Sequence, residues 1–285
     1  MRGKGLKGKL KSLLSEGEAA EFRSSLEIIG DLAVVRLPPR LEPLGGRLAE
    51  AIMQVHSNVK AVFSQASPVE GEFRLRRLRH LAGENRTETV HREHGYLFKT
   101  DIAQTYFSPR LQYERVRVAR LVQPGETVVN MFAGVGCFSI VIARKAKPAK
   151  VYSVDLNPQA YRYMRENILL NRLVGVVKPI LGDAKTVVEK LKGQADRVLM
   201  PLPAKAREYL PYALQALKPR GGWIHYYDFV QADDRREALT EAFRLIPESL
   251  EGFRLKAAFG RIVRSVGPRW YQTVLDVEAK PSEGF

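Results

Sequence analysis

A short turn with two glycines and two later carboxylates could do chemistry together. The turn, residues 132–136, places Gly134 and Gly136 directly after a β-branched apolar run. Two glycines one residue apart let the backbone turn sharply and approach a ligand at the end of a strand. Asp155 and Asp183 each follow a later apolar run. Because parallel strands end at the same edge of a sheet, these residues predict one binding site.

The spacing of this turn favours adenosine over pyrophosphate as the ligand. Ser139 occupies the position of the third glycine of a dinucleotide-binding turn. The residues instead fit the turn that holds S-adenosylmethionine, a ligand without phosphate, in class I methyltransferases. There Asp155 could accept the ribose hydroxyls and Asp183 the adenine amino group. In the alternative, the glycines form a purely structural turn and the two aspartates only cap helices.

Alternating short apolar and longer amphipathic runs from about Asp101 onward predict the elements that position these residues. This alternation is typical of an α/β fold with a mostly parallel sheet. Residues 253–261 and 271–279 have no helix between them and are expected to pair antiparallel at one edge. We therefore predict a class I methyltransferase (Rossmann-like) sheet of seven strands. Its five parallel strands are expected at residues 127–131, 151–154, 176–181, 196–200 and 222–227.

The pattern changes near residue 95, which predicts two domains, 1–95 and 96–285. In the first, Gly30 and Asp31 separate two apolar runs and predict a hairpin. Residues 41–56 have helical spacing, and residues 59–63 favour a strand. We expect a smaller, basic N-terminal α+β domain.

The composition indicates a polyanionic partner. The 285 residues include 46 Lys+Arg against 31 Asp+Glu, a formal charge of +15. A basic surface without a partner is the alternative. Guanidinium groups match phosphate geometry well. Arginines cluster at positions 74, 76, 77, 79, 110, 115, 117 and 120.

Several classes of protein are excluded. The sequence has no apolar run long enough for a membrane span, and it opens without the apolar stretch of a signal peptide. One cysteine and five scattered histidines argue against a disulfide scaffold or a metal site. Cys137 is expected to be a buried filler. The basic tract at residues 2–11 is either a phosphate-binding arm or merely solvated. We expect a cytoplasmic protein.

Five motifs, in order, resemble the archaeal and eukaryotic tRNA (guanine-37-N1)-methyltransferases. These enzymes are related to the wybutosine-pathway aminocarboxypropyl transferases. The resemblance covers roughly residues 60–280. It implies an S-adenosylmethionine-dependent enzyme that acts on a guanosine next to the tRNA anticodon, with the N-terminal domain contacting tRNA and no obligatory protein partner. The motifs lie at residues 83–87, 106–115, 131–136, 155–158 and 224–227.

The resemblance also assigns roles to individual residues. It implies that Glu114 is the general base, that Arg74 lies near the guanine O6 and that Tyr106 shapes the target pocket. The cofactor site is expected to use Arg115, Phe132, Gly134, Gly136, Asp155, Leu156, Asp183, Ala184 and Pro201.

The sequence departs from the family pattern in three places. Asn130 replaces the usual aspartate, which removes a charge and keeps an acceptor. Pro201 replaces the asparagine of an Asn-Leu-Pro motif, so the amide expected to contact the target base is missing. We also expect the chain to lack the additional N-terminal domain of longer members.

The proposed chemistry needs one carboxylate and one cation. Guanine N1 carries a proton at neutral pH, so its methylation calls for a base and for stabilisation of the charge that spreads to O6. Ser108 is expected to cap a helix with Pro109 at its first position, placing Arg110, Glu114 and Arg117 along one stripe. In the alternative, Glu114 has no catalytic role and only forms a solvated ion pair with Arg110, worth about 0.2–0.5 kcal/mol.

Other roles and functions remain open from the sequence. Arg74 could simply bind phosphate, and His225 could face the core or the target pocket, with the core favoured. Besides N1 methylation, the same tRNA position could receive an aminocarboxypropyl group, or a methyl on carbon of the tricyclic wyosine intermediate. A tRNA-binding module without catalysis is the alternative from another class.

Overall fold

The computed structural model describes residues 6–10 and 13–282. They divide into two compact units, Met1–Arg110 and Leu111–Phe285. The sequence-based boundary at residue 95 falls instead at the turn of a β-hairpin inside the first unit. Half of the basic tract at residues 2–11, namely residues 2–5 and 11, lies outside the described residues.

The first unit contains a four-stranded sheet and a separate hairpin. The sheet order is β1-β2-β3-β4, with β2 and β3 parallel and the outer pairs antiparallel. Strands β5 and β6 pair only with each other. The elements are α1 (Leu6–Leu10), α2 (Glu16–Ser25), β1 (Glu27–Ile29), β2 (Leu32–Val35), α3 (Gly45–Val55), β3 (Ala61–Gln65), β4 (Leu78–Gly83), β5 (Glu88–Glu93) and β6 (Tyr96–Asp101).

The predicted hairpin at Gly30 is confirmed, and its turn is clamped to strand β5. Gly30 has a φ of +60°, and a Cβ at this position would overlap Thr89 Oγ1 and lie 2.7 Å from the carbonyl oxygen of Val90. Thr89 donates a hydrogen bond of 2.7 Å to Asp31, and Arg86 Nη1 donates one of 3.1 Å to the same carboxylate. Arg86 of the motif at residues 83–87 is therefore a structural clamp.

The second unit is an α/β layer built on one large sheet. Helices alternate with its parallel strands, as the sequence predicts, and apolar side chains from both layers form its main core. The elements are α4 (Gln112–Leu121), β7 (Thr127–Asn130), α5 (Cys137–Ala146), β8 (Lys150–Asp155), α6 (Pro158–Leu170), β9 (Val177–Leu181), α7 (Ala184–Glu189), β10 (Arg197–Met200), α8 (Ala206–Ala216), β11 (Gly222–Gln231), α9 (Arg235–Arg244), β12 (Ser249–Leu250), β13 (Phe253–Gly267) and β14 (Trp270–Pro281).

The sheet has the expected topology. Its order is β12-β13-β14-β11-β10-β7-β8-β9, and the five strands from β11 to β9 are parallel. Strand β14 lies antiparallel between β11 and β13, which confirms the predicted antiparallel pair. The sheet has eight strands instead of the predicted seven because β12, only two residues long, adds to the edge. Such a short strand leaves no periodicity in the sequence.

The sequence predicts some local features of the fold and misses others. Helix α4 begins at Gln112, with Leu111 rather than Ser108 at its N-cap, because residues 109–111 form a 3₁₀ turn first. Strands β4 to β6 were not predicted. Strands β4 and β5 mix polar and apolar residues without a clear apolar run, and the apolar run that opens β6 is only three residues long. Cys137, by contrast, is buried at the start of α5, as expected.

Within residues 6–10 and 13–282, no helix is long and apolar enough to cross a membrane. Over the same residues, no group of three or more metal-binding side chains comes together.

The clamped turn leads to a prediction about stability. Gly30→Ala should destabilise the protein more than Gly71→Ala, although both glycines have positive φ. A Cβ added at position 71 would have no neighbouring atom within 4 Å, so its cost should be the left-handed strain alone, roughly 1–2 kcal/mol. Position 30 adds a backbone collision. Urea unfolding of both variants measures the difference, and equal losses would contradict the clamp.

Candidate active site

The glycine turn lies where the strand order of the sheet reverses. Strand β7 has β8 on one side and β10 on the other, the position at which α/β sheets bind ligands. Gly134 and Gly136 have φ values of +57° and +92°, and the latter is the N-cap of α5. A Cβ at Gly136 would lie 3.1 Å from Met164 Cγ. Both glycines are therefore required by the backbone path of this turn.

Asp155 ties the glycine turn to the end of the next strand. Its Oδ2 accepts a hydrogen bond of 2.6 Å from the Gly134 amide, and its Oδ1 accepts one of 2.9 Å from the Asn157 amide. Burial raises the pKa of Asp155, while these two amide hydrogen bonds act in the opposite direction. The cap of α6 is Asn157, which accepts from the Gln159 amide. The alternative that Asp155 only caps this helix is therefore wrong.

Asp183 combines a capping role with a side-chain contact. Its Oδ1 caps α7 by accepting from the Lys185 amide at 2.9 Å, and it also accepts from Tyr209 Oη at 3.0 Å. The Tyr209 ring meets Phe132 edge to face, with centroids 5.0 Å apart. Ala184 is buried beside them. The two rings and the carboxylate thus form one continuous surface. We call Phe132, Tyr209 and Asp183 the aromatic wall.

The structure shows what the two departures near this turn do. Asn130 is buried, accepts from the Phe132 amide at 3.4 Å and donates to Ser139 Oγ at 3.1 Å. Ser139 in turn accepts from Ser153 Oγ at 2.7 Å, which accounts for the serine at the third-glycine position. The acceptor expected of Asn130 is therefore present. Pro201 directly follows β10 at the same edge of the sheet and offers no hydrogen-bond donor.

Glu114 lies in the first turn of helix α4 and is buried, with 2% of its surface exposed. Its Oε1 pairs with Arg261 Nη1 at 2.9 Å, and its Oε2 accepts from Arg117 Nε at 3.0 Å and from Tyr227 Oη at 3.1 Å. Arg110, four residues earlier, pairs with Glu27 at 3.0 Å. The alternative of a solvated surface pair therefore does not describe Glu114.

The partners of Glu114 belong to a longer buried array, which we call the charge layer. Arg117 donates from Nη1 to Asp276 at 2.6 Å, and Asp276 also bonds His225 Nδ1 at 2.6 Å. His225 Nε2 lies 3.0 Å from Arg197 Nη1, whose guanidinium also holds Glu126 at 2.8 Å. His225 thus faces the core, as favoured from the sequence. The charge layer consists of Glu114, Arg117, Glu126, Arg197, His225, Arg261 and Asp276.

The charge layer shifts the titration of its members. Burial raises the pKa of Asp276, but hydrogen bonds from His225 and Arg117 outweigh it and bring the pKa to about 2. Burial lowers the pKa of His225, which Asp276 only partly offsets. Burial and the charge of Glu114 raise the pKa of Tyr227 well above its usual value. At neutral pH, Tyr227 therefore keeps its proton and donates it to Glu114 in a hydrogen bond.

Two other predicted residues meet in the N-terminal unit. The Arg74 guanidinium lies over the Tyr106 ring, 5.4 Å from its centroid. Arg74 has a φ of +55° in a tight turn closed by the Glu70–Leu75 bridge. Non-glycine residues in this conformation are uncommon and cluster at functional sites. In the C-terminal unit, Arg115 is buried in α4 and Leu156 is partly exposed after β8.

Sequence reasoning missed four residues of this site. Tyr227, Arg261 and Asp276 contact or support Glu114, and Tyr209 completes the aromatic wall. One signal was present, because an aspartate inside the apolar run at residues 271–279 had to be buried with a partner. Tyr227 lies in the motif at residues 224–227 but had no assigned role, and Arg261 and Tyr209 have no local signal in the chain.

The sheet order, the inserted antiparallel strand and the glycine turn at the reversal point define a class I methyltransferase fold. A family model described as the TRM5/TYW2 methyltransferase domain matches residues 89–251. A second, the TYW2 N-terminal domain, matches residues 6–87. The chain therefore belongs to the TRM5/TYW2 methyltransferase family.

Named relatives agree with this assignment. The chain is 44% identical over 253 residues to tRNA (guanine(37)-N(1))-methyltransferase Trm5b of Pyrococcus abyssi, covering 89% of this chain and 74% of that protein. It is 39% identical to tRNA 4-demethylwyosine(37)-methyltransferase Taw21 of Saccharolobus solfataricus. The match covers 89% of this chain and 93% of that protein. The structure is also similar to the solved complex of aTrm5 with tRNALeu, with a TM-score of 0.83 and 35% sequence identity. The superposition covers 98% of this chain and 79% of that protein chain.

The low pKa of Asp276 predicts how stability depends on pH. A carboxyl whose pKa falls from 3.8 to about 2 on folding contributes about 2 kcal/mol above pH 4, and this contribution is lost as the pH falls towards 2. Asp276→Asn should therefore destabilise the protein by at least that amount at pH 7 and much less near pH 2.

Urea unfolding across this pH range measures the effect. Asp233→Asn is the matched control, since Asp233 pairs with Arg269 on the exposed surface and its loss should change little. A deficit in Asp276→Asn that is the same at both ends of the pH range would show that the carboxylate charge is unimportant.

Proposed function

We propose that this chain transfers a methyl group from S-adenosylmethionine to N1 of guanosine 37 in tRNA, next to the anticodon. The observation that carries the proposal is the buried carboxylate of Glu114, held by two guanidinium groups and a phenol in the methyltransferase unit. The 44% identity to a relative named for this reaction supports it. The proposal includes the anticodon stem-loop as the binding partner and the cytoplasm, where tRNA is found, as the compartment.

The residues at the strand ends fit an adenosine ligand. Gly134 and Gly136 keep side chains away from the turn, and the aromatic wall offers a ring face beside a carboxylate acceptor. In the proposal, Asp155 takes the ribose hydroxyls and Asp183 the adenine amino group. Arg115, Leu156, Ala184 and Pro201 complete the proposed cofactor site. Bound there, S-adenosylmethionine supplies an electrophilic methyl group.

The residues of the chain supply proton transfer and orientation. Guanine N1 loses its proton to the Glu114 carboxylate, and its lone pair then becomes available for the methyl group. Arg117, Arg261 and Tyr227 fix the carboxylate in one orientation. Because the carboxylate is already oriented, the side chains around it do not have to rearrange during the reaction.

The resemblance assigns two further residues, Arg74 and Tyr106, to the proposed chemistry. Negative charge spreads to O6 of the guanine as N1 loses its proton, and Arg74 is the cation assigned to it. The ring of Tyr106 supports the Arg74 guanidinium from one side at 5.4 Å and shapes the target pocket. The backbone of Arg74 is in the left-handed region, with a φ of +55°.

A second candidate is methylation of a carbon atom of 4-demethylwyosine at the same tRNA position. The chain is 39% identical over 255 residues to the relative named for methylation of 4-demethylwyosine. Pro201 also favours it, because a proline lacks the side-chain amide expected to contact an unmodified guanine. Aminocarboxypropyl transfer and an inactive tRNA-binding module are further outcomes that one assay distinguishes.

The nucleoside product tests the choice between these functions. The protein is incubated with S-adenosylmethionine and either an unmodified tRNA transcript or a tRNA that carries 4-demethylwyosine, and the digested nucleosides are analysed by mass spectrometry. We expect a mass gain of one methyl group on guanosine 37 of the transcript. A methyl gain only on the tricyclic base supports the second candidate. Gain of the larger aminocarboxypropyl group, or no product on either tRNA, contradicts both.

Substitution of the proposed base should separate catalysis from binding. Glu114→Gln keeps the side-chain shape but cannot take the proton, so kcat should fall by about 100-fold or more. The affinity for S-adenosylmethionine, measured by calorimetry, should change less than about twofold, because Asp155 and Asp183 are untouched. Glu241→Gln is the control, since Glu241 pairs with Arg244 on the exposed face of α9. Full activity of Glu114→Gln would remove Glu114 as the base.

A further inference from the structure

Two exposed aromatic side chains stack against the two guanidinium groups that hold Glu114. The Tyr113 ring lies under Arg261, with 4.4 Å from the guanidinium carbon to the ring centroid. The Phe259 ring lies under Arg117 at 5.2 Å. Tyr113 is 62% exposed and Phe259 45% exposed. We call Tyr113, Phe259 and Arg261 the stacking surface.

We propose that the stacking surface binds an unpaired nucleobase of the tRNA beside the modified nucleotide. The inference rests on the proposed function, because it takes tRNA as the substrate. Aromatic rings and arginine planes are the groups on which proteins stack unpaired RNA bases. Large rings left this exposed gain little from folding, which agrees with a role in binding.

Positive charge around the stacking surface favours a negatively charged ligand. Strand β13 carries Arg254, Lys256, Arg261 and Arg264, and residues 253–267 contain no acidic residue. A ligand that offers flat rings and also carries negative charge complements this strand. Unpaired RNA has both properties, whereas an apolar protein surface offers no negative charge to these side chains.

The stacked base is a neighbour of the target and not the target itself. Glu114 is buried and Tyr113 is exposed, because consecutive residues point about 100° apart around helix α4. The base that loses a proton has to reach Glu114, so the ring of Tyr113 is left for another nucleotide. Arg261 links the two places, since it stacks on Tyr113 and bonds Glu114 at 2.9 Å.

Fluorescence of a modified tRNA tests the stacking directly. 2-Aminopurine, whose fluorescence is quenched by stacking, replaces the nucleotide on the 5′ or the 3′ side of guanosine 37 in two separate tRNAs. We expect wild-type protein to change the signal of one of them. Tyr113→Ala should remove that change and weaken tRNA binding on the order of tenfold. Tyr113→Phe keeps the ring and should behave as wild type, and Phe259→Ala should weaken binding in the same direction.

A matched control separates stacking from general loss of surface. Leu169→Ala removes an apolar side chain that is 65% exposed on helix α6, and it should leave tRNA binding unchanged. Melting curves of all variants should coincide with wild type, because the altered side chains are at the surface. Calorimetric affinity for S-adenosylmethionine should also stay the same, since none of these residues belongs to the proposed cofactor site.

Three results would overturn the inference. The first is a Tyr113→Ala variant that binds tRNA and alters the 2-aminopurine signal as wild type does. The second is an equal loss of tRNA affinity in Leu169→Ala. The third is a wild-type dimer that becomes monomeric in Tyr113→Ala by sedimentation, which would make the surface a contact between two copies. Failure of the proposed function is distinguished by the nucleoside assay, in which wild-type protein would modify no tRNA.

Discussion

The charge layer between helix α4 and the sheet is the interaction on which the rest of the site depends. Three guanidinium groups and three carboxylates alternate along it, and His225 joins two of them without adding charge. Burying any one of these ions alone would be strongly unfavourable, whereas the alternation leaves no unbalanced charge. The array holds the Glu114 carboxylate in a place where only 2% of the residue is exposed to water.

The glycine turn and the two aspartates at the strand ends could be placed from sequence because their positions depend on local chain geometry. Gly134 and Gly136 must be glycines for the backbone to turn, and Asp155 and Asp183 follow strands whose apolar runs are visible in the sequence. The order of those runs also predicted the sheet topology, including the antiparallel pair at its edge. Short-range constraints of this kind leave a pattern within a few residues.

The support of Glu114 could not be predicted because it comes from distant parts of the chain. Arg261 and Asp276 lie on the last two strands, and their meeting with Glu114 depends on the register of β13 and β14. Helix capping was also misjudged at Ser108, because a 3₁₀ turn competes with an α-helical start there. The polar strands β4 to β6 are set by pairing rather than by apolar alternation.

The central position of β14 has a consequence for biosynthesis. This strand is inserted between β11 and β13, and its Asp276 meets Arg117 across 159 residues of chain. While the polypeptide is still emerging from the ribosome, the space that β14 will fill stays open. Until β14 has paired, Arg117 lacks its contact with Asp276. The charge layer is therefore complete only after this strand has been synthesised and has joined the sheet.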